Sequence, residues 1–324
     1  MGRSVLVACL LLVVALTACG DRASHGPDRQ PPSRQPPATA RAAPVRAPAA
    51  AFAADPALFP RKVEPQAGDW LAAHHEAVET FEQYVEDAPT RPSETRRAIV
   101  LQPIGSFPSE NRDLIDTLRE YLNIYFQLET RVAEPVPLPA LGFRARQEGD
   151  HAWVQYRTDI LTIQVLEPRL PRDAVVYLGI TAADLFPAPS WNFVFGVGNL
   201  DRRVGVYSLA RLGPGFSGAP DAASARTRTL LRALAVLAHE TGHMFSLRHC
   251  SVYECLMNGV NSLEELDRAK PWLCPDCLRK LHFNTGFDVR RHYEELRAFY
   301  VARHLDEPVD WLDHRLVTLG PTGQ

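Results

Sequence analysis

The sequence predicts an exported chain whose folded part is a mixed α/β domain. Three observations predict it: a short apolar N-terminal run followed by a proline-rich stretch, strand-like and helix-like segments alternating from residue 98 onward, and one long helix near 224–245 that is apolar around most of its circumference. Alternation of this kind places helices against a sheet, and a helix apolar nearly all round belongs in the middle of the fold. Of 324 residues, 46% are hydrophobic and 23% charged, which excludes wholesale disorder and a polytopic membrane protein. The net charge of -3 offers no electrostatic footprint for nucleic acid, and the 32 Arg and three Lys form no cationic block. Nothing in the composition specifies an oligomeric state.

Met-Gly-Arg precedes an apolar stretch, Ser4 to Leu16, long enough for a signal-peptide core and shorter than the roughly 20 residues of a membrane-spanning helix. Leu16-Thr17-Ala18-Cys19-Gly20 then resembles the bacterial lipoprotein signal. The resemblance implies that Cys19 is lipidated as the new N-terminus, anchoring the chain on the extracytoplasmic side of a membrane in the bacterial cell envelope. Ordinary secretion with nearby cleavage is the alternative, leaving Cys19 a free thiol; Cys9 is discarded in both cases. Residues 20–56 carry eight Pro and eleven Ala with no period that buries a face, as a disordered tether does. Residues 57–324 remain for a folded domain.

Within that domain, Trp70, Leu71, Val78, Phe81, Tyr84 and Val85 suggest one amphipathic helix from 70 to 85, with His74, His75 and Glu76 on its polar side as surface residues. Ala98 to Leu101 reads as a buried strand ending at Pro103 and Gly105, and Ser109 as the cap of a helix through Leu114, Ile115, Leu118, Leu122 and Tyr125. Asp159 to Leu166 is ambiguous, since Leu161, Ile163 and Val165 alternate like a strand while Thr158 could cap a helix, and helix is the reading favoured. Ala174 to Ile180, Asn192 to Gly196 and Val204 to Leu209 read as strands, and Thr181 to Phe186 as a turn or short helix. After the long helix come four cysteines and a polar helix near 288–304, where Arg290, Arg291 and Arg297 form a solvated face. His282, His292, His304 and His314 show no site-like spacing and read as surface or satisfied histidines.

The long helix ends in His239-Glu240-Thr241-Gly242-His243. Imidazoles four residues apart lie about 40° apart around a helix, so His239 and His243 can grip one ion, and Glu240 stands beside it. Zinc suits imidazole nitrogen and keeps an open position when a protein supplies three ligands. His249 follows six residues after His243; on a continued helix it would point about 280° from His239, so the helix must stop for it to return as third ligand. Cys250, Cys255, Met257, and Cys274-Pro-Asp-Cys277 complete the pattern His-Glu-x-x-His-x5-His-Cys-x4-Cys-x-Met with a downstream Cys-x-x-Cys.

This string resembles the archaemetzincins, metzincin-type zinc metalloproteases, and the likeness extends over about residues 95 to 285. It implies a zincin-like α/β (α+β) fold: a mixed twisted sheet with helices, a central active-site helix, an upper lobe of about 57–245 and a lower lobe of about 246–324. It further implies catalytic zinc on His239, His243 and His249, Glu240 as general base in peptide-bond hydrolysis, Met257 in the turn beneath the site, and a second, structural zinc on Cys250, Cys255, Cys274 and Cys277. The substrate is then a peptide or protein, added in extended form beside the strand at Asn192 to Gly196. In an oxidising compartment the four cysteines could instead form two disulfides. A lipid-anchored binding module with unused catalytic machinery is the rival function. Ser246 stands where the motif has Gly, so a left-handed turn there would cost serine on the order of 1 kcal/mol.

Overall fold

The computed structural model describes residues 49–107, 110–148, 151–213 and 221–320. The signal segment, Cys9 and Cys19, most of the expected tether, and Ser109 lie outside these residues. The tether's last part does not behave as a spacer: Ala49–Phe52 form a turn of 3-10 helix with Ala51 fully buried. The reason is Arg315, a buried guanidinium whose Nη2 donates to the carbonyls of Ala50 and Ala51 at 3.3 and 2.6 Å. Leu58 and Phe59 follow into the core.

Residues 70–85 are two short helices rather than the single one expected, α1 (Trp70–Ala73) and α2 (Phe81–Glu86). The chain is already extended at His74, and Thr80 opens α2 through a reciprocal capping box with Gln83. Residues 74–80 therefore cross the surface as an extended strap.

The main sheet is built on β1 (Ala98–Ile104), α3 (Glu110–Phe126) and β2 (Thr130–Val132), with β1 and β2 parallel. An antiparallel pair follows, β3 (Phe143–Glu148) and β4 (His151–Arg157). Residues Ile160–Leu166 form a wide, π-type helix opened by Asp159, whose carboxylate accepts from the Ile160 amide at 2.8 Å; Thr158 is not its cap. Then come β5 (Ala174–Thr181), β6 (Asp184–Phe186), β7 (Gly196–Gly198), β8 (Val204–Ser208) and α4 (Ala222–Met244). Strand order is β2-β1-β5-β8-β7, parallel throughout except that the edge strand β7 runs antiparallel to β8. β3, β4 and β6 make a second sheet, so the expected turn at 181–186 is in part a strand.

β1 and β5 are buried along their whole length, as parallel strands covered on both faces must be. Ile99, Leu101 and Leu178 pack with α3 and α4 on one face, while Val100 and Tyr177 meet Leu161, Val165 and Leu166 on the other. Downstream lie α5 (Leu263–Arg268), α6 (Pro275–Thr285), α7 (Val289–Val301) and α8 (Asp306–Thr318). Their core is continuous with that of the sheet: the hydroxyls of Tyr121 and Tyr300 lie 2.9 Å apart, and His292 Nδ1 donates to the Tyr125 carbonyl at 2.9 Å. Burial drags His292 down to about 4, so it is a neutral, satisfied core histidine. His282 Nδ1 donates to the Phe287 carbonyl, and His304 and His314 are exposed. Arg291 and Arg297 stay on the surface, paired with Glu295 and Asp313. Among the described residues no helix is long and apolar enough to cross a membrane.

The end of α4 decides where the chain goes next. Leu247 N donates to the Gly242 carbonyl at 3.1 Å and Ser246 N to that of His243 at 2.8 Å, the paired bonds of a Schellman cap, with Ser246 left-handed at φ 65°. Serine tolerates that conformation because its hydroxyl is used twice, donating to the Leu200 carbonyl at 2.7 Å and accepting from the Thr90 amide at 3.0 Å. Ser246→Ala keeps the left-handed strain and loses both bonds, each worth about 1 kcal/mol net, whereas Ser246→Gly loses the bonds but also the strain. The alanine variant should therefore melt below the glycine variant, and below wild type by several degrees, in a thermal unfolding scan. Equal melting of the two variants would show that the left-handed conformation carries no strain, and an alanine variant as stable as wild type would show that the bonds contribute nothing.

Candidate active site

α4 presents His239 and His243 side by side, ring centroids 4.5 Å apart and Nε2 atoms 3.0 Å apart. The cap at Ser246 turns the chain back, and His249 closes the group with its centroid 5.3 Å from His239 and 4.9 Å from His243. One ligand atom from each of the three lies within 4.8 Å of the others.

Each ring is pinned from behind. His239 Nδ1 faces the Leu256 carbonyl at 2.8 Å, His243 Nδ1 the Leu247 carbonyl at 2.7 Å, and His249 Nδ1 the Glu76 carboxylate at 2.8 Å. Carbonyls and carboxylates only accept, so each Nδ1 carries a proton, and in the neutral ring that leaves the lone pair on Nε2. Burial holds His239 down at about 3 and His243 well below its usual value, so these two rings remain neutral. Two lone pairs 3.0 Å apart repel unless they share a cation. The spacing is close to the edge of a zinc tetrahedron with bonds of about 2.0–2.1 Å.

Glu240 is buried beside them, and burial pushes its carboxyl up to about 8 against the pull of the Gly198 amide. Its Oε2 is without a protein partner. β7 passes directly over this carboxylate. A Cβ on Gly196 would come 2.7 Å from Glu240 Oε1, and one on Gly198 would strike the Glu240 carbonyl, so only glycine lets the strand approach. Beneath the site Met257 is fully buried, and a Cβ on Gly242 would come 2.7 Å from its sulfur.

Cys250, Cys255, Cys274 and Cys277 converge in the same way, all as free thiols with sulfurs within 4.8 Å of one another. Cys250 and Cys274 Sγ lie 3.8 Å apart, far beyond a disulfide bond of about 2.05 Å and equal to the edge of a tetrahedron with metal–sulfur bonds of about 2.3 Å. The Cys274 amide donates to Cys255 Sγ at 3.2 Å and that of Met257 at 3.5 Å. Hydrogen bonds from the Cys255 and Cys274 thiols hold Cys250 low, while burial pushes Cys255 up. One thiolate is accommodated by its neighbours; four need a cation.

Two expectations are corrected. Asn192 to Gly196 is not the edge strand, which is Gly196–Gly198. The preceding residues are drawn to the second sheet, because Gln155 Nε2 and Arg144 Nη2 both bind the Asn192 carbonyl at 2.9 Å and Val194 bridges to Leu185. Nor are His74 and Glu76 idle surface residues. His74 lies 4.0 Å from the Trp70 ring and stacks on Trp191 at 8° and 5.9 Å, and Glu76 holds His249. Sequence reasoning missed Trp70, His74, Glu76 and Trp191, because the contacts that give them meaning span up to 195 residues and no local spacing encodes them.

The result is a cleft of about 600 Å³ beside the histidines, walled by Phe193, Phe195 and Val197, with Ala235, Val236 and Leu266 also lining it. Residues 113–283 match the model of peptidase family M54. Archaemetzincin-2 of Pongo abelii is 37% identical over 272 residues, covering 74% of this chain and 74% of that protein. Archaemetzincin-2 of Homo sapiens is 36% identical over the same length and shares. The crystal structure of archaemetzincin from Methanopyrus kandleri aligns at 28% identity and a TM-score of 0.47, over 60% of this chain and 97% of that one. The chain belongs to peptidase family M54, the archaemetzincins, and is accordingly a metallopeptidase.

Proposed function

We propose that the cleft hydrolyses peptide bonds with His239, His243 and His249 holding zinc and Glu240 as general base. The observation that carries this reading is the convergence of three Nε2 lone pairs, each fixed by an acceptor on Nδ1, next to a buried carboxylate. Zinc bound there supplies a Lewis acid that acidifies water and polarises the scissile carbonyl. The substrate main chain adds to the free edge of β7 in extended form, which lays a peptide bond across Glu240. Water attacks the carbonyl carbon through its oxygen, and Glu240 takes the proton. The carbon–nitrogen bond then breaks as Glu240 returns that proton to the departing amine. Met257 and Gly242 support the site from below by packing alone.

Glu240→Gln should bind zinc as wild type does yet cleave a mixed-peptide library about 10²- to 10⁴-fold more slowly, measured as initial rates with and without chelator. Undiminished turnover by this variant would sink the assignment.

The four cysteines hold a second zinc in the same reading, with a structural task, since the set is closed by four protein ligands. Elemental analysis of the purified folded part should return two zinc ions per chain, and thiol titration after denaturation with chelator should return four thiols. One zinc and no thiols would restore the disulfide alternative.

Cys19 anchors the chain to the bacterial cell envelope, supported by the small-residue sequence before it and by a tether long enough to hold the domain off a membrane. Labelled fatty acid should enter the wild-type protein and not Cys19→Ala, and the variant should leave the membrane fraction. A labelled alanine variant would refute lipidation at this residue.

A further inference from the structure

We propose that Glu76, in the strap upstream of the family-matched residues 113–283, is a positioning residue for the catalytic metal: it fixes the tautomer and orientation of His249. The inference rests on the metallopeptidase reading and assigns a task to a residue that the motif does not contain.

The three histidines differ in what they can lean on. His239 and His243 stand on α4, whose backbone already aims them, and main-chain carbonyls close at hand complete their support. His249 stands in coil after the cap, with no helix to aim it. Its Nδ1 partner is the Glu76 Oε1, and that oxygen also accepts from Trp70 Nε1 at 2.9 Å. The Trp70 ring in turn meets His249 edge-on at a centroid distance of 5.0 Å. It seats there because position 259 is glycine; any Cβ would strike the indole.

Glu76 is itself held in place from both sides. Trp70 N donates to both carboxylate oxygens of buried Glu265, at 3.1 and 3.0 Å. Beyond Glu76, Glu79 is clamped by Lys280 at 2.9 Å and by Arg248 at 3.0 Å, and Arg248 is the residue before His249. The strap is thus fastened to the segment that carries the third ligand. A carboxylate behind a ligating imidazole fixes its tautomer and strengthens it as a donor, and removing such a partner typically weakens metal binding about 10- to 100-fold.

The test reads metal rather than activity. The full-length protein carrying Glu76→Gln, Glu76→Ala or Glu79→Gln is titrated with a zinc chelator, and metal release is measured in parallel with cobalt-substituted samples. Cobalt on three histidines gives weak d–d bands, and cobalt on four cysteines gives intense thiolate charge-transfer bands, so each site reports separately. Glu76→Ala should lose the histidine-site metal at chelator activity about 10- to 100-fold lower than wild type. Glu76→Gln, whose amide oxygen still accepts from Nδ1, should fall between. Glu79→Gln loosens the strap but leaves the Glu76–His249 bond itself, and should weaken the histidine-site metal less than Glu76→Ala does. The proposal is overturned if the Glu76 variants hold that metal as tightly as wild type, or if they weaken the cysteine site equally. Failure of the wild type to bind metal at the histidines would instead overturn the metallopeptidase reading itself.

Discussion

Two imidazole Nε2 atoms 3.0 Å apart, both carrying lone pairs, set the terms for everything around them. Their arrangement is favourable only with a cation between them, and the protein maintains it by denying the rings any other tautomer. A backbone carbonyl behind His239, another behind His243 and a carboxylate behind His249 each consume the Nδ1 proton. At His239 and His243 burial then removes the remaining escape, protonation of Nε2, by making the imidazolium costly. The three rings are therefore held in one arrangement by the protein itself, with the cost of ordering them met by packing elsewhere in the fold.

The sheet's contribution is proximity. β7 is three residues long, yet two are glycines, and both lie where a methyl group would collide with the Glu240 residue. That close approach lets the Gly198 amide reach the Glu240 carboxylate, and it keeps the last strand of the main sheet beside the histidines. The second sheet supports this indirectly. Buried Asp184 gathers Arg211, Trp153 and Gln155, and Gln155 with Arg144 holds the 191–192 carbonyls that lead into the strand. A polar network far from the chemistry thus fixes the cleft wall.

Much of this was legible in the sequence, for reasons of range. β1, β5 and α4 are long apolar runs whose pattern outweighs local ambiguity, and His239, Glu240 and His243 occupy one helix, where spacing alone determines geometry. His249 and the four cysteines were legible only with the resemblance, since a turn at Ser246 has to be supposed. The strap was illegible. Its amphipathic period from Trp70 to Val85 is genuine, but the Thr80–Gln83 capping box and the pull of Glu265, His249 and Lys280 on Trp70, Glu76 and Glu79 outweigh helix propensity. The edge strand was misplaced by a few residues because Val194 has strand character and does pair, but with Leu185 of β6 rather than with the main sheet.

The cysteine cluster gains its meaning from what it is attached to. Cys250 follows His249 directly, and its amide donates to the Met257 carbonyl at 2.7 Å, while its own carbonyl accepts from Asn258 Nδ2 at 2.6 Å. Leu256, whose carbonyl steadies His239, is tied through its amide to the Trp272 carbonyl at 2.8 Å, two residues before Cys274. The knuckle therefore braces two of the three histidines, one through chain continuity and one through a single carbonyl, and it places Met257 under Gly242 as well. The Schellman cap braces His243 through Leu247, and the strap braces His249 through Glu76. Three segments, of which the strap is remote in sequence from the other two, converge on three rings, each by one hydrogen bond. A metal held as proposed on those rings would consequently report on the folding of all three segments, since any free energy gained at it would be gained only with strap, cap and knuckle in place.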